Sequence, residues 1–513
     1  MAEPAIVFIG FMGAGKTTAL EAAREAGLET TEIDQLMERE MGMPIRQAFE
    51  ERGEAAFRED EAAVVGELLE DADGGAIALG GGSVLSERVR AALRRHLVVW
   101  LQVGADEAWR RIEGTGRPLA RSREDVDRLL AKRQPLYGEL ADAIVMPGDR
   151  GVAARALPAI LALRDLPAGT KLLWAVSDSG EYPVLCGIGI LGEWWPLQGR
   201  RFCVTDTVVG ERYAERLAPL AARVEVEPGE EAKTLAEAER VLRELSDAGM
   251  LRSDHLIALG GGVIGDLGGF CAHTYQRGVP VVQVPTTIVA QVDSAYGGKT
   301  GVDLPQGKNY VGAYHQPAAV IADVATLTTL PPEELAAGWV EAIKTGLLAG
   351  GELWDAVQAV RGTGDLTDSS ALAPVIFACA RYKCELVAVD ERDAGPRQAL
   401  NLGHTVGHAI EAATGYRRYR HGEAVGLGLL AALRLSGADQ LREEVEGMLE
   451  GFSLPVRLDR SAGLDAVAAA LARDKKRTAE DVPFVLLSTP GEPRIGQVVD
   501  PDRVEQAVTE LYG

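Results

Sequence analysis

The chain has 513 residues, 47% hydrophobic and 5% aromatic, with 53 basic against 76 acidic residues and a net charge of −23. That length calls for about three cores, and that charge argues against nonspecific nucleic-acid or anionic-membrane binding. The apolar runs are glycine-broken and too short for a bilayer, the five cysteines lack a CxxC pair and read as reduced thiols, and a strand begun by residue 5 leaves no leader to expect, so the cytoplasm is the expected compartment.

Residues 1–165 alternate strand-like runs ("AIVFIGFMG", "GGAIALGGG", "HLVVWLQV", "DAIVMPG") with helical patterns. This predicts a parallel sheet with helices on both faces. "RDLPAGTK" has the Pro/Gly punctuation of a linker, placed at 166–171. A second α/β alternation runs over 172–322 and predicts a Rossmann-like domain. From 323 to 513 helical periodicity dominates. The expected class is α/β, with a mainly helical third domain.

"GFMGAGKT", Gly10 to Thr17, fits GxxxxGK[ST] between a strand and a helix. Backbone N–H groups there can curl around phosphate oxygens, Lys16 can reach the β/γ-phosphates, and Thr17 can ligate Mg²⁺. The bland reading is a glycine-rich turn, and a P-loop alone names no substrate.

Three of the seven histidines fall within eighteen residues: His404, His408 and His421. His404 and His408 lie four apart on one helix face, a spacing familiar from metal sites. Glu341, in the apolar "GWVEAIKTG", is a buried carboxylate that needs a partner or a metal. Two histidines and a carboxylate would leave open positions, as catalytic zinc requires; histidines satisfied in a core are the competing reading. Upstream, "LIALGGGVIGDLGGF" places Gly260, Gly262 and Gly265 in G-x-G-x-x-G after a strand, and Asp206 ends a strand as a ribose-binding acid would. Only ten residues are lysine, and eight of them fall in such motifs.

The P-loop followed in order by "EID", "FRE", "LGGGSVL", "RPL" and "RQPLY" resembles shikimate kinase. The resemblance implies ATP on Gly13, Ala14, Gly15, Lys16, Thr17 and Thr18, with Arg117 in a lid over it. Asp34, Arg58, Gly80, Gly81, Gly82 and Arg133 would hold shikimate. Asp34 would orient the attacking hydroxyl, while Lys16, Arg117 and Mg²⁺ stabilise the transferred phosphoryl. Glu32 stands where the family usually has aspartate.

Six further blocks resemble 3-dehydroquinate synthase: "DSAYGGKTGVD", "GKNYVGAYHQP", "GWVEAIKTG", "RQALNLGHTVGHAIE", "RHGEAV" and "DKK". This resemblance implies NAD on Asp206, Glu230, Lys233, Gly261, Gly262, Val263, Ile264, Gly265, Asp266, Thr286, Thr287, Lys299, Lys308, Thr326, Leu327, Thr328 and Thr329. It implies zinc on Glu341, His404 and His421, with His408 turned to substrate instead of pairing with His404. A heptulosonate phosphate would meet Lys299, Lys308, Asn309, Lys383, Arg397, Asn401, His408 and one or both of Lys475 and Lys476. Lys344 would lie beside the metal and Asp293 would organise the site. Arg277 matches a family arginine that reaches a neighbouring subunit's substrate, implying a homodimer through the C-terminal half. The expected protein is thus a bifunctional enzyme of aromatic amino-acid precursor synthesis with small-molecule substrates. The rivals are a metal- and NAD-dependent polyol dehydrogenase for the C-terminal half and a non-catalytic nucleotide-binding regulator for the N-terminal one.

Overall fold

Strands that are apolar at every position must be covered on both faces, and four of the six strands of the first parallel sheet, Ile6–Ile9, Ala76–Ala78, Leu97–Leu101 and Ala143–Val145, have that pattern. The computed structural model describes residues 3–114, 119–460, 462–478 and 482–512, with side chains left aside at 361–363 and 472–478. It has two units: Met1–Val176 with Glu181–Leu185, and Ser177–Gly180 with Cys186–Gly513.

In the first unit β1 (Ile6–Ile9), β2 (Thr30–Glu32), β3 (Ala76–Ala78), β4 (Leu97–Leu101), β5 (Ala143–Val145) and β6 (Lys171–Ser177) form a parallel sheet. The order is β2-β3-β1-β4-β5-β6, and β7 (Gly180–Gly187) follows beside β6. Helix Lys16–Glu25 packs beside Val152–Ala162, and Ala105–Ile112 beside Arg123–Leu140. The linker expected at 166–171 ends earlier than read, because Lys171 already opens β6. That strand pairs with β5 (Ala143↔Leu172, Val145↔Trp174) and so joins the first unit's sheet. The physical reason is that β5 is buried at all three positions and an unpaired edge there would leave its backbone unsatisfied.

The second unit opens with another parallel sheet, built from β8 (Arg201–Asp206), β9 (Ala222–Val226), β10 (His255–Gly260), β11 (Val281–Pro285) and, after a hairpin of β12 (Lys299–Leu304) and β13 (Gly307–Tyr314), β14 (Ala319–Asp323). Its order is β14-β11-β10-β8-β9. From Pro332 onward helices take over, and Trp339, Ile343, Leu347, Val357, Ile376, Leu430 and Val445 lie in one core. All five cysteines are buried, and burial pushes the thiols of Cys186, Cys203 and Cys271 up to about 12. No described helix is long and apolar enough to cross a membrane.

His96 ties the first sheet to its longest helix. Its Nδ1 accepts from the Ala5 amide at 3.2 Å, so Nε2 carries the hydrogen and donates to the Leu69 carbonyl at 2.7 Å. Burial holds the ring below the usual histidine value, although the Leu69 bond pulls the other way. The unfolded chain therefore binds the proton first as pH falls. His96 contributes its full stability above about 6.5, and this is lost as pH drops below that value. Hydrogen exchange of the peptide around Ala5, corrected for intrinsic rates, should show reduced protection at pH 5.5 relative to 7.5. A His96→Gln chain should lose that pH dependence.

Candidate functional site

Two separate sites are built, one in each unit. In the first, Gly13–Thr18 curl at the start of helix Lys16–Glu25 and line a cavity of about 720 Å³. Glu32, Asp34, Gly80, Gly81 and the segment Pro147–Arg150 share its wall. Lys16 Nζ is held over the loop by the carbonyls of Gly10 (2.9 Å) and Phe11 (3.0 Å). Thr17 Oγ1 donates to Glu32 Oε1 at 2.7 Å, and Gln35 Nε2 donates to the other oxygen at 2.6 Å. The longer Glu32 thus reaches the threonine that a P-loop offers to Mg²⁺.

Asp34, Arg58, Gly80 to Gly82 and Arg133 converge as expected from sequence. A Cβ on Gly80 would fall 3.5 Å from Asp34 Oδ1, and one on Gly81 3.6 Å from Arg133 Nη1. On Gly82 it would strike the Arg58 guanidinium within about 2.5 Å, so a larger residue there requires that guanidinium to move. Arg133 is 2% exposed, rests on the Phe11 ring and leaves its Nε without a partner. A buried guanidinium with a spare donor is suited to a bound carboxylate. The sequence reading missed Glu61, which joins Arg58 Nη1 (2.5 Å) to Ser83 Oγ (2.8 Å), and Tyr137, whose hydroxyl donates to Gly81 O at 2.5 Å. It also missed Arg111, which donates to the P-loop carbonyl of Gly13 at 2.7 Å. Arg117 lies outside the described residues.

The second site begins where β10 runs into helix Gly262–Thr274. Gly261 stands at the N-cap without a side-chain bond, so the amides of Gly262, Val263 and Ile264 open the helix toward any anion, while Gly265 N already donates to Gly261 O at 3.0 Å. A Cβ on Gly261 would fall 2.9 Å from Thr287 Cγ2, and buried Thr286 Oγ1 has no partner, as a waiting dinucleotide would require. Lys233 Nζ gathers Glu230 (2.9 Å), Asp266 (3.3 Å) and Asp303 (3.7 Å). Burial pushes the Asp266 carboxyl up to about 6 despite that lysine. Asp206 does a further job: its Oδ1 accepts from Val209 N at 2.8 Å and caps the helix after β8. Thr326, Thr328 and Thr329 each donate to the carbonyl three residues back, and Leu327 is buried between them. Those hydroxyls are spent on the turn, which leaves its backbone as the simpler contact.

The histidine cluster forms because two glycines let helices touch. A Cβ on Gly422 would lie 1.8 Å from Ala337 O, and one on Gly428 2.0 Å from Gly403 O. Helices Pro332–Ala349, His404–Ala413 and His421–Leu435 therefore approach backbone to backbone. His404 Nε2 comes within 3.5 Å and His421 Nε2 within 3.3 Å of Glu341 Oε1. His404 Nδ1 donates to Leu402 O at 3.2 Å and His421 Nδ1 to Glu411 Oε2 at 3.3 Å, aiming both Nε2 atoms at one point. Glu341 is 1% exposed, and neither of its oxygens has a hydrogen bond. The Lys344 ammonium, 2.6 Å from Oε2, attracts it without hydrogen-bond alignment. Burial holds His404 neutral, its value lowered to about 3, with Lys344 adding to the effect. His421 goes the other way, up to about 9, because Glu341 and Glu411 outweigh its burial. A second overlapping trio, His408, Glu411 and His421, fits a cation less well, since Glu411 already accepts from Lys308 Nζ at 3.3 Å. The donor set and the orphaned Glu341 oxygens fit a zinc-like ion at Glu341, His404 and His421.

Beside that trio, Asp293 projects from a π-turn, Ala290–Ser294, between Lys344 Nζ (3.0 Å) and Lys383 Nζ. Burial opposes its charge, but the two ammoniums override it and hold Asp293 well below the carboxylate range. Arg397, 1% exposed, donates to Glu391 O and Gly297 O and keeps Nε unpartnered. Lys308 lies 3.7 Å from Glu230 and so stands between the Lys233 carboxylate cluster and the histidines. Lys299 pairs with Asp393, Asn309 donates its amide to Asp303 at 2.7 Å, and Asn401 and His408 are exposed. The side chains of Lys475 and Lys476 lie outside the described residues. Glu411 went unread, although it sits three residues after His408 and seven after His404, on their face of the helix.

Fold and site together define a P-loop phosphotransferase joined to a Rossmann-like α/β enzyme with a helical second half. Residues 12–160 match the family model described as shikimate kinase, 223–337 that of 3-dehydroquinate synthase N-terminal, and 338–477 that of 3-dehydroquinate synthase C-terminal. A curated 3-dehydroquinate synthase of Symbiobacterium thermophilum is 40% identical over 351 residues, 64% of this chain and 98% of that protein. One from Halorhodospira halophila is 41% identical over 354 residues, 66% and 98% of the two. A solved 2-epi-5-epi-valiolone synthase from Streptomyces hygroscopicus subsp. jinggangensis, with NAD+ and Zn2+ bound, superposes with a TM-score of 0.60 at 26% identity, covering 66% of this chain and 99% of that one. The chain belongs to the 3-dehydroquinate synthase family and carries a shikimate kinase domain ahead of it. It is a kinase and a lyase in one polypeptide.

Because Gly82 faces Arg58 so closely, Gly82→Ala should displace that guanidinium and break its pair with Glu61. Steady-state kinetics should then show the KM for the phosphoryl acceptor raised about tenfold, equivalent to about 1.4 kcal/mol, with the nucleotide KM within about twofold.

Proposed function

We propose that the first unit transfers the γ-phosphoryl of Mg²⁺-ATP to the 3-hydroxyl of shikimate. The second converts 3-deoxy-D-arabino-heptulosonate 7-phosphate to 3-dehydroquinate and phosphate with NAD and zinc. The observation that carries the second half is the buried Glu341 carboxylate, without a hydrogen bond, facing two imidazole Nε2 atoms. Zinc there would supply a Lewis acid for a substrate hydroxyl, and NAD a transient hydride acceptor.

The chain's own residues divide the remaining work. Lys383, Arg397, Lys299 and Lys308, with one or both of Lys475 and Lys476, would make a cationic pocket for a carboxylate and a phosphate in an otherwise acidic protein. Asp293 fixes the Lys344 and Lys383 ammoniums in place, and His408 stands at the exposed rim where a proton could be exchanged with substrate. In the kinase, Lys16 and Arg117 would neutralise the transferred phosphoryl, Thr17 and Glu32 would face Mg²⁺, and Asp34 would orient the attacking hydroxyl. Arg58 and Arg133 would take the shikimate carboxylate.

The metals separate the two activities. Zinc would be held by protein ligands, whereas Mg²⁺ would arrive mainly with the nucleotide. Stripping the full chain with a strong chelator should abolish both activities. Excess Mg²⁺ alone should restore only shikimate-dependent ATP turnover, and zinc should then restore phosphate release from the heptulosonate. Glu341→Gln should lower bound zinc, read by metal analysis, while kinase activity persists. Synthase activity revived by Mg²⁺ alone would overturn the assignment.

The second unit is also proposed to act as a homodimer, with Arg277 reaching the partner's substrate phosphate. Arg277 is exposed on a turn where it and Gln276 both take positive φ, 69° and 48°. Non-glycine residues hold that conformation at a cost, and such strain collects where a side chain must be presented. Arg277→Ala mixed with Glu341→Gln should recover part of the synthase activity through heterodimers. Failure to recover at every mixing ratio would remove the shared site.

A further inference from the structure

We propose that Arg155, clamped between Asp149 and Glu181, is a positioning residue for the kinase nucleotide. The strands that follow the linker would thereby set how tightly the first unit holds ATP. The inference rests on the kinase reading of that unit but goes beyond its family match, which ends at residue 160.

The nucleotide cavity has two walls. One is the P-loop, Gly13 to Thr18; the other is the segment after β5, Pro147 to Arg150 with Val152 and Ala153. The second wall turns into the next helix at Asp149, whose carbonyl accepts from Val152 N at 3.2 Å. Asp149 Oδ1 accepts from Gly151 N at 2.7 Å and from Arg155 Nη2 at 2.9 Å, which ties the segment to the first turn of the next helix. Arg155 is in turn gripped from its other side by Glu181: Nε meets Oε1 and Nη2 lies 3.2 Å from Oε2. Oε2 also accepts from Trp174 Nε1 at 3.0 Å. The Glu181 side chain is 19% exposed and Trp174 9%, whereas the Arg155 and Asp149 side chains are 45% and 70% exposed, so the link is sheltered at its strand end and open at the cavity wall.

The backbone reinforces the same link. Leu172 N donates to Asp142 O at 2.9 Å and Met146 N to Trp174 O at 3.1 Å, so β6 is laced to β5 up to the residue before the segment. Lys171 Nζ adds bonds to Ala141 O and Asp142 Oδ1 at 2.7 and 3.1 Å. A fork with bidentate contact on one carboxylate and a third bond to another fixes Arg155 in angle as well as distance. Without Glu181, Arg155 and Asp149 regain rotamer freedom, and the nucleotide must order the segment as it binds. The phosphoryl end is held by Lys16 and Thr17, which this link does not touch. The loss should therefore fall on nucleotide affinity and not on the chemical step.

The test uses the full-length chain, whose unaltered shikimate-dependent ATP turnover checks the kinase reading before any variant is compared. Glu181→Ala should raise the KM for ATP about fivefold, leaving kcat, the acceptor KM and synthase turnover within about twofold. Glu181→Gln, which can still accept from Trp174, should fall between the two. Arg155→Gln should give the same rise, and the double variant Arg155→Gln/Glu181→Ala should add nothing to it. An unchanged ATP KM in Glu181→Ala, additive effects in the double variant, or parallel losses in kcat and both KM values would each overturn the proposal.

Discussion

A carboxylate shut inside a helical core with no hydrogen bond is the constraint around which the second unit is arranged. Moving such a charge out of water costs several kcal/mol unless something positive meets it. Glu341 meets Lys344 on its own helix and two imidazoles from the neighbouring ones. The imidazoles reach it only because Gly422 and Gly428 let backbones touch, so the packing and the chemistry are decided by the same residues. Filling either glycine would drive a Cβ into a facing backbone carbonyl and so push the histidine-bearing helices out of place.

From Glu341 the charges run outward as alternating signs. Lys344 passes to Asp293 and Asp293 to Lys383, while on the other side His421 passes to Glu411, Lys308 and Glu230, and Glu230 to Lys233. Each member is stabilised chiefly by its neighbours, so the network ties the helix-borne groups to those of the Rossmann-like sheet. Its lysines, Lys344, Lys383, Lys308 and Lys233, are four of only ten in the chain. They concentrate lysine where a doubly anionic substrate would need it.

Much of this was readable in the linear chain, for identifiable reasons. The P-loop, the G-x-G-x-x-G turn and the strands are short-range features, fixed by local sterics and by side-chain period. Glu341, His404 and His421 could be singled out because a lone acid in an apolar helix and a run of histidines are both costly without a purpose. The pairing of His404 with His408, suggested by spacing, gave way to a set drawn from three helices. Spacing sees only one helix at a time. Glu61, Glu411 and Arg111 escaped for the same reason: each works through a partner 22, 10 or 98 residues away. The assignment of Lys171 to a linker failed because Pro/Gly punctuation marks where a strand is free to begin, without saying which sheet it will join.

The burial of the cysteines carries a practical consequence. Thiols shut away from solvent, with proton affinities driven far up, present almost no thiolate to alkylating or oxidising reagents. The native chain is thus close to silent toward maleimide chemistry without any cysteine having to be replaced. A single cysteine introduced at an exposed position, such as Val389 or Val498, would be the one reactive handle for a fluorophore or spin label. Such a probe could follow the second unit in the intact enzyme while both substrates are present.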